Sequence, residues 1–224
     1  MREGIPWPFS RLYDRYPNRI FIKWFGRIAT DIRDRQISGI ILDMGTGPGR
    51  LPIEIAKRVP GVEVIGIDIS EDMVKIAKKN AEEEGVTDRV KFKVASAYNT
   101  GFDDNSMDLV VSTGLIHHLR EPLSAFNEAY RILKGGGEAW MYDGRKDVTK
   151  TEFEETVKSL GMEEDLPLPL WIMGMLWPRL HVGSRTEVYV SGKIGRALNE
   201  SLFKDCNVKK EGAYIAIELK KSLC

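Results

Sequence analysis

Two carboxylates and three glycines carry the strongest chemical signal in the chain. Asp43 is followed by Gly45, Gly47 and Gly49, and a second acid, Asp68, stands 19 positions beyond Gly49. Glycines in such a row let the backbone take conformations closed to other residues and let a ligand come close to it. A helix opening after them offers unpaired N–H groups to whatever lies in the turn. A carboxylate about 20 residues on can accept hydrogen bonds from both hydroxyls of a ribose, so these features point to an adenosine-bearing ligand. The third glycine narrows the class, because the nicotinamide and flavin pattern G-x-G-x-x-G requires glycine at position 50, where Arg50 stands. Two histidines, His117 and His118, and a further acid, Asp143, complete the groups able to move a proton. Neither histidine has a metal-ligand partner at helical spacing, so no metal site is expected.

The apolar spacing says which elements hold these groups. Residues 40–42 form a short apolar run, as in a strand buried on both faces, and lead straight into the glycine turn. Pro52 suits a first helical turn, and Leu51, Ile55, Ala56 and Val59 recur at helical spacing. Val62, Val64, Ile65 and Ile67 then form a second strand that delivers Asp68. Ser70 caps the next helix, with Met73, Ile76 and Ala77 facing inward and Gly85 at its end. Val90, Phe92 and Val94 alternate with Lys91 and Lys93, a pattern of a strand at or near a sheet edge, and Ala95-Ser96-Ala97 closes it. Val110 and Val111 predict a fourth strand with Ser112-Thr113-Gly114-Leu115 as its exit. A helix over 122–133 ends at Lys134-Gly135-Gly136-Gly137, and a fifth strand over 138–142 brings Asp143 to a position that can face a substrate.

The pattern D-x-G-x-G-x-G from Asp43 to Gly49 resembles motif I of the class I S-adenosylmethionine-dependent methyltransferases. Leu115-Ile116-His117-His118-Leu119 resembles the L-H-H-L of many small-molecule and quinone-type members, and Leu133-Lys134-Gly135-Gly136-Gly137 resembles the family's L-K-P-G-G with Gly135 replacing proline. The run from Asp103 to Ser112 resembles the turn into strand four, and the resemblance covers residues 38–143. It implies that Gly45, Thr46, Gly47 and Gly49 approach the methionine part of the cofactor, that Asp43 helps hold its ammonium group, and that Asp68 holds the ribose. It also implies that Ile69 packs on the adenine, with Met73, Ser96 and Ala97 nearby, and that Thr113 and Gly114 lie beside the transferred methyl group. The family usually has an acid at the position of Ser96, so a hydroxyl here implies weaker adenine recognition. S-adenosyl-L-methionine is the implied cofactor and S-adenosyl-L-homocysteine the product. For each histidine a buried structural role and a role as base both stand, with His118 and Asp143 the candidates if a base is needed.

The expected fold is α/β, a Rossmann-like doubly wound sheet of seven strands, mostly parallel with an antiparallel last strand. One domain over 1–224 is expected: a helical cap (1–37) bearing Trp7, Phe9, Tyr13 and Tyr16, a cofactor-binding core (38–143), an insertion (144–190), and a helix with a C-terminal hairpin (191–224). Within the insertion, 163–180 is rich in Trp, Met and Pro. It reads as packing on the core, as a lid over an apolar pocket, or as a homodimer or membrane-surface patch. Lys+Arg and Asp+Glu both total 33, which gives no overall pull toward nucleic acid. No run reaches the roughly 20 apolar residues of a membrane span, and a cytoplasmic protein is expected. The [DNS]-P-P-[FYW] tetrad of enzymes acting on base amines is replaced by Ser112-Thr113-Gly114-Leu115. A small, partly apolar acceptor is therefore favoured over RNA or protein. A non-catalytic cofactor-binding subunit is the reading from another class.

Overall fold

The computed structural model describes residues 18–163 and 184–223. The first described helix, α1 (Asn18–Asp34), precedes β1 (Gly39–Met44), α2 (Arg50–Arg58), β2 (Val62–Asp68), α3 (Glu71–Glu83) and β3 (Val90–Val94). After β4 (Met107–Thr113) come a 3-10 turn (Ile116–His118), α4 (Pro122–Ile132), β5 (Leu133–Gly144) and α5 (Lys150–Ser159). The last elements are α6 (Thr186–Val190), α7 (Lys193–Glu200), β6 (Asp205–Glu211) and β7 (Tyr214–Lys220). The four cap aromatics, Trp7 to Tyr16, and most of the 163–180 run lie outside the described residues.

Seven strands form one sheet in the order β3-β2-β1-β4-β5-β7-β6, and β7 alone runs antiparallel to its neighbours. The expected architecture is thus present. Successive residues of each inner strand serve opposite faces. Ile41, Leu109, Val111 and Trp140 pack with Ile28, Ile32, Leu51, Ile55 and Ala77 on one side of the sheet. Leu42, Val110 and Met141 pack with Phe126, Ile132 and Leu198 on the other. Helices therefore cover both faces, which is why these strands read as unbroken apolar runs. The strand order reverses between β1 and β4. In such sheets the crevice at the carboxyl ends of the two strands flanking the reversal is where ligands bind.

Two boundaries differ from expectation. The Lys134-Gly-Gly-Gly run does not separate α4 from the fifth strand but lies inside β5. Met107 pairs with Leu133 and Leu109 with Glu138, so five positions of β5 span two of β4 and the glycines take up the slack. Lys221 pins this excursion, its Nζ donating to Leu133 O (2.7 Å), Tyr130 O (2.9 Å) and Asn105 Oδ1 (2.8 Å). The helix expected over 191–203 is present but shorter, Lys193–Glu200, and a short helix, Thr186–Val190, precedes it across a turn at Ser191-Gly192. They cross so tightly that a Cβ on Gly195 would lie 2.0 Å from Val190 O.

Candidate active site

The glycine turn is held to the neighbouring strand before any ligand arrives. Gly45 N and Thr46 N both donate to Ile67 O (2.9 and 2.8 Å) on β2, and Asn80 Nδ2 of α3 donates to Pro48 O (2.8 Å). The glycines do different work. A Cβ at Gly47, φ +53°, would meet nothing within 4 Å, so the turn opens onto free space there. At Gly49, φ +78°, it would lie 2.6 Å from Phe92 Cζ and 2.8 Å from Ala77 Cβ, so this glycine lets α2 start close against β3 and α3.

Asp68 closes the cradle from β2. Its Oδ2 accepts from Gly47 N (2.9 Å) and its Oδ1 from Ser70 N (2.8 Å), so the carboxylate ties the turn to the start of α3 while each oxygen keeps a lone pair for a further donor. Burial raises its pKa against the opposing pull of these backbone donors. Beside it, Ile69 and Val94 are 47% and 45% exposed, an apolar pair at the carboxyl ends of β2 and β3 on which a flat ring can lie.

Asp43 lies deeper, 1% exposed at the end of β1. Neither of its carboxylate oxygens has a partner at full hydrogen-bonding geometry, although the buried Thr46 hydroxyl lies close enough to interact with it. Burial lifts its pKa to about 7, with Thr46 opposing and the nearby Asp68 adding to the rise. A buried carboxylate left bare in this way is costly and is matched by a cationic donor.

The other expected residues are placed as follows. Met73 is 2% exposed and belongs to the buried face of α3, so its side chain is not on the open surface of the cradle. Ser96 Oγ is occupied within its own turn, accepting from Tyr98 N (3.2 Å), which places the expected adenine partner in a local turn instead. Ala97 is half-buried beside it. Thr113 ends β4, and Gly114, φ +67°, opens onto free space and donates to Tyr142 O (2.8 Å). Beyond it Leu115 packs against the glycine turn, since a Cβ at Gly45 would lie 3.0 Å from Leu115 Cδ1.

Asp143 does not face a substrate, which corrects the expectation for it. It is 0% exposed and spent on the 3-10 turn: His117 N donates to Oδ2 (2.8 Å), Gly144 N to Oδ1 (2.9 Å), and His117 Nδ1 lies 2.7 Å from Oδ1. His118 lies against His117, ring centroids 3.8 Å apart and planes tilted by 43°, and is itself exposed. Its pKa is lowered by partial burial and then by His117, against a raising effect of Asp143. Among the described residues no three His, Cys, Asp or Glu side chains gather as a metal site would require.

Comparison with known proteins agrees with this geometry. A family model described as a methyltransferase domain matches residues 41–137, the span from β1 into β5. Over its whole length the fold is similar to a Methanococcus maripaludis protein assigned to the S-adenosyl-L-methionine-dependent methyltransferases. That match has a TM-score of 0.76 and 25% identity, and covers 99% of this chain and 97% of that one. Residues 41–137 thus carry a methyltransferase domain, on a fold shared over its whole length with a solved S-adenosyl-L-methionine-dependent methyltransferase. Among curated relatives, this methyltransferase is similar to the demethylmenaquinone methyltransferase of Thermus thermophilus, 33% identical over 136 residues, 58% of this chain and 60% of the relative. It is also similar to the ubiquinone/menaquinone biosynthesis C-methyltransferase UbiE of Geobacter sp., 31% identical over 101 residues, 45% of this chain and 43% of that one. The methyltransferase thus spans 60% of the first of these relatives and less of the second. S-adenosylmethionine, the cofactor of such methyltransferases, carries both an ammonium group and a ribose. Sequence reasoning passed over Val94, whose alternation with Lys91 and Lys93 marked it as inward, although the last residue of an edge strand has less to cover it.

Proposed function

We propose that the protein transfers a methyl group from S-adenosylmethionine to a small, partly apolar acceptor, and that the acceptor is a hydroquinone ring of the kind implied by the quinone methyltransferases it resembles. The observation that carries the cofactor assignment is the bare, buried carboxylate of Asp43 beneath a glycine cradle closed by Asp68. The acceptor class draws support from the printed activities of the relatives and from the absence of overall charge. No described helix is long and apolar enough to cross a membrane, and we take the protein to act in the cytoplasm.

In this reading the backbone of Gly45, Thr46, Gly47 and Gly49 surrounds the amino-acid end of the cofactor, and Asp43 receives its ammonium. Asp68 accepts from the ribose hydroxyls, while Ile69 and Val94 hold the adenine, with Met73 behind and Ser96 and Ala97 supplying backbone groups. Thr113 and Gly114 border the place where the acceptor enters. The bound cofactor supplies a methyl group already attached to an excellent leaving group. What remains for the chain is to exclude water and hold the two reacting atoms about 3–3.5 Å apart.

The test is methyl transfer from isotopically labelled S-adenosylmethionine into a cell extract separated into small-molecule, RNA and protein fractions, with Asp68→Ala as control. Label in the small-molecule fraction, lost with Asp68→Ala, is the expected result. Label in RNA or protein would overturn the acceptor class, and failure to bind S-adenosylhomocysteine would overturn the cofactor assignment.

A further inference from the structure

The pairing of His117 with Asp143 fixes more than the shape of a turn. Asp143 accepts from two backbone N–H groups, those of His117 and Gly144, and a carboxylate so used has no proton to offer the ring. Nδ1 of His117, 2.7 Å from Oδ1, must therefore carry the hydrogen of that contact. The neutral ring then has its lone pair on Nε2. The Tyr189 hydroxyl, packed nearby, donates to Gly144 O and accepts from Ser184 N (both 3.1 Å), and it also lies close enough to Asp143 to interact with its carboxylate.

A histidine kept for structure satisfies both ring nitrogens, because a buried polar atom without a partner is costly. His117 does not. Its side chain is 8% exposed, and Nε2 is buried with no hydrogen-bond partner. The ring follows the exit of β4 at the carboxyl end of the sheet, the same end as the glycine turn after β1, against which Leu115 packs. The neighbouring His118 has no such hold: it is exposed, and the Asp143 contacts go to His117.

We infer that His117, oriented by Asp143, is the base that takes the hydroxyl proton of the methyl acceptor on Nε2 as the new carbon–carbon bond forms. This rests on the methyl-transfer reading above and narrows it, since such a base serves acceptors whose reacting system is protonated in neutral water, phenols and hydroquinones. The O–H bond breaks, its proton goes to Nε2, and its electron pair feeds through the ring to the adjacent carbon, which bonds to the methyl group. The pair of the methyl–sulfur bond leaves with sulfur. The ring carbon then gives up its own hydrogen as a proton while the oxygen regains one, and imidazolium returns its proton to water, so one proton is released per turnover. Asp143 is a positioning residue that sets the tautomer.

The experiment has two arms. Nitrogen NMR on histidine-labelled protein reads the tautomer of His117 without any turnover. A protonated Nδ1 and bare Nε2 are expected, lost in Asp143→Asn, and a protonated Nε2 would overturn the inference. The kinetic arm uses the reduced form of a 1,4-naphthoquinone with a geranyl chain at carbon 2 as acceptor. His117→Gln is expected to lower kcat about 100-fold or more, the usual reach of acid–base catalysis. S-adenosylhomocysteine affinity should stay within about threefold, and free imidazole should restore turnover to His117→Gly. A larger loss in His118→Gln than in His117→Gln, or no rescue in a folded His117→Gly, would overturn it. A wild-type protein that binds S-adenosylhomocysteine but never methylates this quinol would count against the acceptor proposed in the preceding section, and the NMR arm would still decide the tautomer.

Discussion

Replacing Asp43 with asparagine separates what the fold prefers at this position from what the ligand needs. The group is buried and unpartnered, and burial moves its pKa from 3.8 to about 7. The folded chain thus holds the proton more tightly than the unfolded chain does. Its contribution is most favourable below the unfolded pKa, and stability falls as pH rises from that value until the folded pKa is passed. A shift of about three units, at about 1.4 kcal/mol each, puts the loss on the order of 4 kcal/mol at pH 8. The amide removes that loss while keeping the shape. In urea titrations Asp43→Asn should therefore match wild type near pH 4 and exceed it increasingly up to pH 8. Binding should move the other way. Without a charge-assisted bond of about 1.5–3 kcal/mol, S-adenosylhomocysteine should bind about 10–150-fold more weakly at pH 8 by calorimetry. 5′-Methylthioadenosine, which lacks the amino-acid end, should bind both proteins alike. An Asn variant less stable than wild type at pH 8, or one that binds S-adenosylhomocysteine unchanged, would refute the reasoning.

Two further outcomes follow from geometry already described. Gly49→Ala forces a Cβ to within 2.6 Å of Phe92 Cζ at φ +78°, and should cost about 1–3 kcal/mol in denaturant titration; a neutral result would mean the turn is looser than it looks. Glu128 accepts from Thr100 N (2.8 Å), Thr100 Oγ1 (2.6 Å) and Arg131, and although burial raises its pKa, these partners bring it down to about 2. Its stabilisation is present above the unfolded value of 4.5 and lost as pH falls through 2, so the melting-temperature gap between wild type and Glu128→Gln should be full at pH 6 and shrink on acidification.

The core of the fold was legible because its signals are local. Residues 40–49 state strand, turn and helix within ten positions, and Ser70 does cap α3, its Oγ accepting from Met73 N (3.4 Å). The insertion of β7 was readable only through family resemblance, since an alternating strand does not say which neighbour it will choose. The start of β5 was misplaced because three glycines signal a helix stop as readily as an irregular strand, and the residue that decides between them, Lys221, lies 84 positions beyond Gly137. The roles of His117 and Asp143 were out of reach for the same reason. Adjacent histidines look alike in sequence, and only the return of β5 beside β4, pairing Thr113 with Tyr142, brings a carboxylate to one of them.

The placing of β7 has a consequence for how the molecule reaches its final form. Residues 215–219 fill the core beneath β5, with Ile215 and Ile217 0% exposed, and they also form the only described link between β5 and β6. A growing chain that has made β6 has nothing to attach it to. Until the following residues emerge, β5 presents an open edge with bare N–H and C=O groups, the kind of edge that recruits strands from other chains. Closure is then a late, long-range event: it brings Tyr214 onto Gly144, and with them Ala213 onto Arg145, whose backbone N–H donates to its carbonyl (3.0 Å). The strand that carries Asp143 is thus paired along both of its edges only when β7 is in place.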